Sequence, residues 1–182
     1  MRPGDVTRVL VLGAVLLAGQ AAYAVDEVQE AAVNFYRTYL RLRTFGGLSG
    51  IPNERQLARL AQLITPELHG LFTEALREQR RCAAQFPDDK PPWIEGDIFS
   101  SSFEGYTSFH VANSKPRAQG RQVAVRFTYV DGRDKVRWSD TLLLSNLEGR
   151  WLVDDVRYRA TFAFTSGFGT NLQASLKNIP AC

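Results

Sequence analysis

Residues 123–158, with the sequence VAVRFTYVDGRDKVRWSDTLLLSNLEGRWLVDDVRY, decide the fold of this chain. Apolar and polar residues alternate through most of this stretch, which is typical of β-strands with one buried face. Asp131-Gly132 and residues 146–149 have the composition of turns, so we predict three antiparallel strands joined by short connections. The residues expected on the buried face are Val123, Val125, Phe127, Tyr129, Val136, Trp138, Leu142, Leu144, Trp151, Val153, Val156 and Tyr158.

The alternation changes phase within the last predicted strand. Val153 and Val156 are three residues apart, yet both are apolar and expected on the buried face. One extra residue between them restores the alternation. We therefore predict a β-bulge near Asp154 and Asp155.

The residues before these strands have the pattern of three helices. Asp26, Asn53 and Thr65 are the expected N-cap residues, because a glutamine follows each of the first two by three positions and a proline follows the third. Gly46 and Gly47 end the first helix, and a short amphipathic helix is expected near residues 172–179. Helices that precede a set of antiparallel strands predict an α+β fold with the helices packed on one face of the sheet. The apolar stripe of the first helix consists of Val28, Ala31, Ala32, Phe35, Tyr36, Tyr39 and Leu42.

The first 24 residues have the three parts of a secretory signal. Arg2 and Arg8 supply a positively charged region before an apolar run of about 10 residues. Ala22-Tyr23-Ala24 forms a small-x-small cleavage site. The run is shorter than the ~20 residues that a helix needs to span a bilayer. We therefore expect residues 1–24 to be a cleaved signal peptide and residues 25–182 to be a single periplasmic or secreted domain without a membrane span.

The charge of the predicted mature chain is nearly balanced. The full 182-residue chain has a net charge of +3, and removing the leader with Arg2, Asp5 and Arg8 leaves 158 residues and +2. A net charge this small does not favour binding to nucleic acid, and we expect no nucleic-acid partner.

Cys82 and Cys182 are the two cysteines of the chain. Outside the cytoplasm such a pair is typical of a disulfide, which would close a loop of about 100 residues. Two unpaired thiols are the alternative. His69 and His110 are the two histidines, so we expect neither a metal site nor a cofactor.

The order of helices and strands resembles the nuclear-transport-factor-two-like (cystatin-like) cone fold. Residues 151–158 (WLVDDVRY) are similar to the last strand of that fold, and residues 34–40 (NFYRTYL) to its first helix. Residues 92–105, which begin Pro-Trp-Ile-Glu-Gly-Asp-Ile-Phe, resemble a family of small exported bacterial proteins of unknown function. The resemblance implies helices packed against a curved antiparallel sheet. It leaves function open, because this cone fold hosts isomerases, dehydratases, binding proteins and interaction modules.

The segment from Trp93 to His110 is the densest mixture of polar and aromatic residues, and we expect function to be located there. In one interpretation it is the mouth of a pocket, whose carboxylates have raised pKa values and act as acid or base. In the other it is a turn-rich connector whose carboxylates accept hydrogen bonds from backbone amides, and this second interpretation is favoured because perturbed carboxylates are rare. The candidate pocket or interface residues are Trp93, Glu95, Asp97, Glu104, Tyr106, His110, Asp140 and Tyr36.

These residues leave three classes of function open. The sequence has no nucleophile elbow, no His-Glu-x-x-His and no phosphate-binding loop, so no catalytic residue is assigned. This favours a non-catalytic exported module that binds a protein or a small ligand, for example an immunity protein that blocks a toxin. The alternative is an acid–base enzyme of the cone superfamily that uses Asp97, His110 or Asp140, with Asp97 and His110 as a dyad. A purely structural role in the envelope is a third option. An enzyme would need an apolar cavity on which two such groups converge.

Overall fold

Helix α1 (Glu27–Gly46) begins at the predicted cap. The computed structural model of the protein describes residues 26–93, 95–160 and 170–178. The Asp26 carboxylate accepts hydrogen bonds from the backbone N–H groups of Val28 (3.1 Å) and Gln29 (3.3 Å). The helix ends at Gly47, whose φ of 62° lies in the left-handed region that favours glycine. The buried residues of α1 are Val28, Ala32, Phe35, Tyr36, Tyr39 and Leu42.

The next two helices also begin where the sequence predicts. Helix α2 (Glu54–Leu60) has a complete capping box, in which the side chains of Asn53 and Gln56 each accept a hydrogen bond from the other residue's backbone N–H. Helix α3 (Pro66–Gln85) is capped by the Thr65 hydroxyl, with Pro66 at its first position. The polar residues at these caps, rather than the apolar stripes, therefore fix where each helix starts.

Five antiparallel strands form one curved sheet, and the protein is α+β as predicted. The order across the sheet is β1-β3-β4-β5, and β2 pairs with the start of β3. Helix α1 packs against β1, β3 and β5, and α3 packs against β5. The strands are β1 (Ser108–Val111), β2 (Lys115–Pro116), β3 (Arg121–Asp131), β4 (Asp134–Leu147) and β5 (Arg150–Arg157).

Strands β1 and β2 are not predicted from the sequence. β1 has four residues and β2 has two, which is too short for an alternation to stand out. β1 is nevertheless a full member of the sheet, because Phe109 and Val111 lie opposite Phe127 and Val125 of β3. The candidate residue His110 therefore belongs to a strand and not to a connecting loop.

The predicted buried face of the sheet is correct over most of its length. Val125, Phe127, Leu142 and Val156 are exposed by 1% or less and face the helices. Val136 is an exception, since 40% of it is exposed. It lies close to the β3–β4 turn, where its partner is Tyr129.

The predicted bulge is present in β5. Leu143 pairs with Asp155 and Leu144 with Val153, so Asp154 is an extra residue without a partner on β4. This insertion lets Val153 and Val156 face the same side of the sheet. The Asp154 carboxylate accepts hydrogen bonds from Thr65 (3.4 Å) and Arg117 (3.1 Å).

The short C-terminal helix α4 (Leu172–Lys177) packs against α3 and β5. Its predicted residue Ile179 lies outside the described residues, as do the predicted signal peptide and Cys182. Cys82, the other half of the predicted disulfide, is buried in the last turn of α3. Among the described helices, none is long and apolar enough to cross a membrane.

The cap of α1 gives a prediction that depends on pH. Burial, the largest single effect, raises the pKa of Asp26, but hydrogen bonds from Ser114, Gln29 and Val28 outweigh it and bring the pKa below its ordinary value of 3.8. The stabilisation by ionised Asp26 is therefore fully present above the unfolded pKa and is lost as the pH falls through the folded pKa. We expect Asp26→Ala to lower the free energy of unfolding by about 1–2 kcal/mol at pH 7.

Urea unfolding at pH 7, 5 and about 2.5 measures this effect, with the neighbouring Glu27→Ala as the control. The destabilisation by Asp26→Ala should be equal at the two higher pH values and smaller at the lowest. A destabilisation that stays constant down to the lowest pH would contradict this prediction.

Candidate functional site

The middle of the candidate segment fills the space between α1 and the sheet. We call residues 97–101 the interior segment, because each of them is exposed by 2% or less. The Tyr158 hydroxyl donates to the carbonyl oxygen of Ile98 (2.7 Å), and the Tyr36 hydroxyl donates to that of Phe99 (3.1 Å). The two tyrosine hydroxyls thus satisfy buried backbone groups that would otherwise lack partners away from water.

Asp97 anchors the start of the interior segment to α1. Its Oδ1 accepts hydrogen bonds from the Tyr39 hydroxyl (2.7 Å) and the Phe99 N–H (2.8 Å). Its Oδ2 accepts from the Ser100 hydroxyl (3.1 Å) and forms an ion pair with Arg43 (3.3 Å). Four protein donors surround this carboxylate, so its oxygens are engaged in holding the chain.

Arg43 is fixed by the same segment. Its guanidinium donates to the carbonyl oxygen of Glu104 (2.7 Å) as well as to Asp97. Gly105 has a φ of +73°, and a Cβ at this position would lie 1.8 Å from Nη1 of Arg43. Only glycine therefore leaves room for the guanidinium.

Asp140 anchors the other end of the interior segment to the sheet. It lies on the inner face of β4 and is 1% exposed. Its carboxylate accepts hydrogen bonds from the N–H of Ser101 (2.7 Å), from the Ser101 hydroxyl, and from the N–H of Arg159 (2.8 Å). A carboxylate buried in this way needs hydrogen-bond partners, and the chain itself provides them.

The pKa values of the buried groups follow from their burial. Burial raises the pKa of Asp97 above its ordinary value, and the attraction of the Arg43 guanidinium opposes this rise. Burial also holds the pKa values of the Tyr36, Tyr39 and Tyr106 hydroxyls well above their ordinary range. These phenols therefore stay protonated near neutral pH and act as hydrogen-bond donors.

Tyr36 and Tyr106 belong to an aromatic cluster in the core. The Tyr36 ring packs edge-on against Phe127 at 5.2 Å and against Tyr106 at 5.9 Å between ring centroids. The Tyr106 hydroxyl donates to the backbone carbonyl oxygen of Tyr36 (3.2 Å). These contacts assign both tyrosines to packing.

The remaining candidates lie apart from this interior network. Trp93 is half-buried at the edge of the core, Glu95 is exposed and forms an ion pair with Lys90, and the Glu104 side chain is exposed. His110 is exposed on β1, whose neighbouring residues Phe109 and Val111 contact the core. The structure therefore does not bring His110 together with the buried Asp97 as a dyad.

A surface for which the sequence predicts no role lies at the end of α1. Phe45 is 86% exposed and borders two concavities of about 340 and 390 Å³. Arg55 lines the first concavity, Arg41 lines the second, and Arg59 lines both. We call these four residues the Phe45 surface. The helical spacing of α1 indicates that the Phe45 side chain lies off the buried face, because Phe45 is roughly a third of a turn from the centre of the buried stripe.

The arginines of the Phe45 surface differ from those on α3. Arg77 pairs with Glu74 (2.6 Å), Arg80 with Glu54 (2.7 Å), and Arg81 with Glu78. None of the arginines in the Phe45 surface has an ion pair with a carboxylate in the described part of the chain. The Phe45 surface is thus an exposed aromatic ring among uncompensated positive charges, whereas the charged face of α3 is neutralised locally.

No protein-family model matches the chain, and no curated protein does. Among solved structures, the chain is similar to a crystal structure of a protein of unknown function from Bacteroides thetaiotaomicron VPI-5482. The two sequences are 14% identical, and the alignment covers 74% of this chain and 88% of the other with a TM-score of 0.31. So distant a likeness supports no statement about fold or function.

The environment of Asp97 predicts a large effect on stability. We expect Asp97→Ala to lower the free energy of unfolding by about 3 kcal/mol, because it leaves the Tyr39 and Ser100 hydroxyls and the Arg43 guanidinium without their acceptor. Urea unfolding followed by tryptophan fluorescence measures this loss. The control is Glu95→Ala, two residues away and exposed, which should change stability by less than about 0.5 kcal/mol. Equal stability of the two variants would refute the anchoring role of Asp97.

Proposed function

We propose that this protein is an exported, non-catalytic binding module of the bacterial envelope whose partner is a protein. The observation that supports this best is the Phe45 surface, where an exposed aromatic ring lies among three arginines that form no ion pair with a described residue. Aromatic residues and arginine are enriched at the energetic centres of protein–protein interfaces. An immunity-type inhibitor is one form of this proposal, and a protein that binds a small ligand is the weaker form.

The filled interior supports a non-catalytic role. The carboxylates of Asp97 and Asp140 both accept hydrogen bonds that hold the interior segment, and each residue is 1% exposed. A general acid or base has to reach the proton that it transfers, directly or through one water molecule. Neither carboxylate meets this requirement in the described arrangement.

The alternative is an acid–base enzyme of the cone superfamily. The raised pKa of Asp97 is the one observation in its favour, since catalytic acids often have such values. Burial explains that shift fully, and four protein donors already satisfy the carboxylate. We therefore rank this alternative second.

The chemistry of the Phe45 surface indicates what its partner presents. Arg41, Arg55 and Arg59 favour a surface rich in carboxylates, and the Phe45 ring favours a shallow apolar pocket among them. Complementary charge of this kind speeds association and makes it sensitive to salt. An acidic protein with an apolar depression is the partner that fits.

Export and the cone fold are parts of the same proposal. The predicted signal peptide and the cysteine pair support a location outside the cytoplasm, and the resemblance of residues 34–40 and 151–158 supports a cystatin-like cone. Because Cys82 is buried at the end of α3, a disulfide to Cys182 would fix the C-terminus against that helix.

Affinity capture with matched variants tests the binding surface. The mature chain, immobilised and exposed to envelope extract of its own cell, should retain a stoichiometric protein. Phe45→Ala should weaken that binding at least about ten-fold, because it removes the central aromatic contact. Arg77→Ala, which removes an arginine that is already ion-paired, should change it by less than about two-fold.

The Phe45 proposal is wrong if the wild-type chain retains no protein, or if Phe45→Ala and Arg77→Ala retain it equally. Thermal unfolding of both variants verifies that they fold.

Intact-mass measurement without reductant tests export and the disulfide. We expect a polypeptide that begins at Val25 and is about two mass units lighter than the dithiol form, since a disulfide has lost two hydrogens. Cys82→Ala should show no such difference before and after reduction. Retention of residues 1–24, or identical masses with and without reductant, would contradict the two parts of the prediction separately.

A further inference from the structure

The face of the sheet that points away from α1 contains a groove of about 430 Å³. Residues alternate between the two faces of a strand, and Phe109, Phe127 and Trp138 face the core. The side chains of their neighbours therefore line the groove, and all of them are polar. We call this site the arginine groove; its side chains are Ser108, His110, Arg126, Thr128, Arg137 and Ser139.

The strand register places these side chains in two rows. Arg126 lies between His110 on β1 and Ser139 on β4. Thr128 lies between Ser108 and Arg137 in the next row. Arg126 and Arg137 are therefore diagonal neighbours on one face, about 7–8 Å apart and with somewhat closer Cβ atoms. The guanidiniums of two such long side chains can meet on one small ligand.

The two arginines of the groove have no compensating charge among the residues that the structure describes. Among the described residues, no carboxylate lines the arginine groove, and neither the Arg126 nor the Arg137 guanidinium forms a hydrogen bond or ion pair. Arg117, the residue after β2, shows the contrast, because it pairs with Asp154 at 3.1 Å. Like charges on neighbouring strands repel each other, and a bound anion removes that repulsion.

We propose that the arginine groove binds the phosphate group of a small soluble molecule. Guanidinium groups match the oxygens of a phosphate with paired hydrogen bonds, and the hydroxyls of Ser108, Thr128 and Ser139 add donors around them. A volume of about 430 Å³ accommodates a small organic group beside the phosphate. A membrane surface fits less well, since membrane-binding faces combine basic with apolar side chains and the six outward side chains of the arginine groove are polar.

This site is distinct from the Phe45 surface. The two share no lining residue, and α1 lies on the opposite side of the sheet from the arginine groove. The inference therefore goes beyond the proposed protein partner, and its test does not depend on that partner.

Isothermal titration with glycerol 3-phosphate tests the proposal, at constant ionic strength and with glycerol as the uncharged control. We expect saturable binding with a dissociation constant of about 1 mM or lower. Arg126→Ala and Arg137→Ala should each weaken it at least about ten-fold through loss of charge-assisted hydrogen bonds. Arg157→Ala is the matched control, because Arg157 is an exposed arginine on β5, opposite Thr141 of β4, and does not line the groove. It should change binding by less than about two-fold.

Three outcomes would overturn the proposal. The first is the absence of saturation at concentrations of about 20 mM, well above the expected constant. The second is an equal loss in Arg157→Ala, which would indicate a general effect of positive charge. The third is binding to phosphatidylglycerol vesicles without binding to glycerol 3-phosphate, which would identify a membrane surface instead. Thermal unfolding of each variant confirms that it is folded when titrated.

Discussion

The hydrogen bonds that Asp97 accepts from α1 hold together two parts of the chain that are more than 50 residues apart in sequence. Tyr39 and Arg43 lie on consecutive turns of the helix, and both reach the same carboxylate. Through Asp97 they fix the interior segment, whose Phe99 ring packs edge-on against Phe35 and Tyr39. The ionised carboxylate is costly to bury, and the donors around it offset that cost.

Asp140 completes this arrangement from the side of the sheet. The interior segment is thus held at one end by a helix and at the other by a strand, and its buried peptide groups have tyrosine hydroxyls as partners. In this arrangement the interior segment occupies the space between α1 and the sheet. The two surfaces that we propose for recognition lie outside this space, at the end of α1 and on the outer face of the sheet.

The sequence was sufficient for features that depend on neighbouring residues. The caps at Asp26, Asn53 and Thr65 and the extra residue at Asp154 follow from patterns of a few positions, and each is present. The roles of the candidate carboxylates could not be derived in this way. Glu95 and Asp97 are two residues apart in the same turn-rich stretch, yet one is exposed and the other is buried, because only the second faces Tyr39 and Arg43. Partners so distant along the chain leave no local pattern.

The extra residue in β5 also determines where this strand can change in length. Elsewhere in β5, the gain or loss of one residue would turn every following side chain to the opposite face. The side chain of Trp151 or Val156 would then face water instead of the core. At Asp154, removal of a residue would leave Val153 and Val156 on their present face, because it would restore the regular alternation. Such a shorter strand would lose the contacts of the Asp154 carboxylate with Thr65 and Arg117 but would keep its core. Single-residue length differences among natural variants of this strand are therefore expected at the bulge.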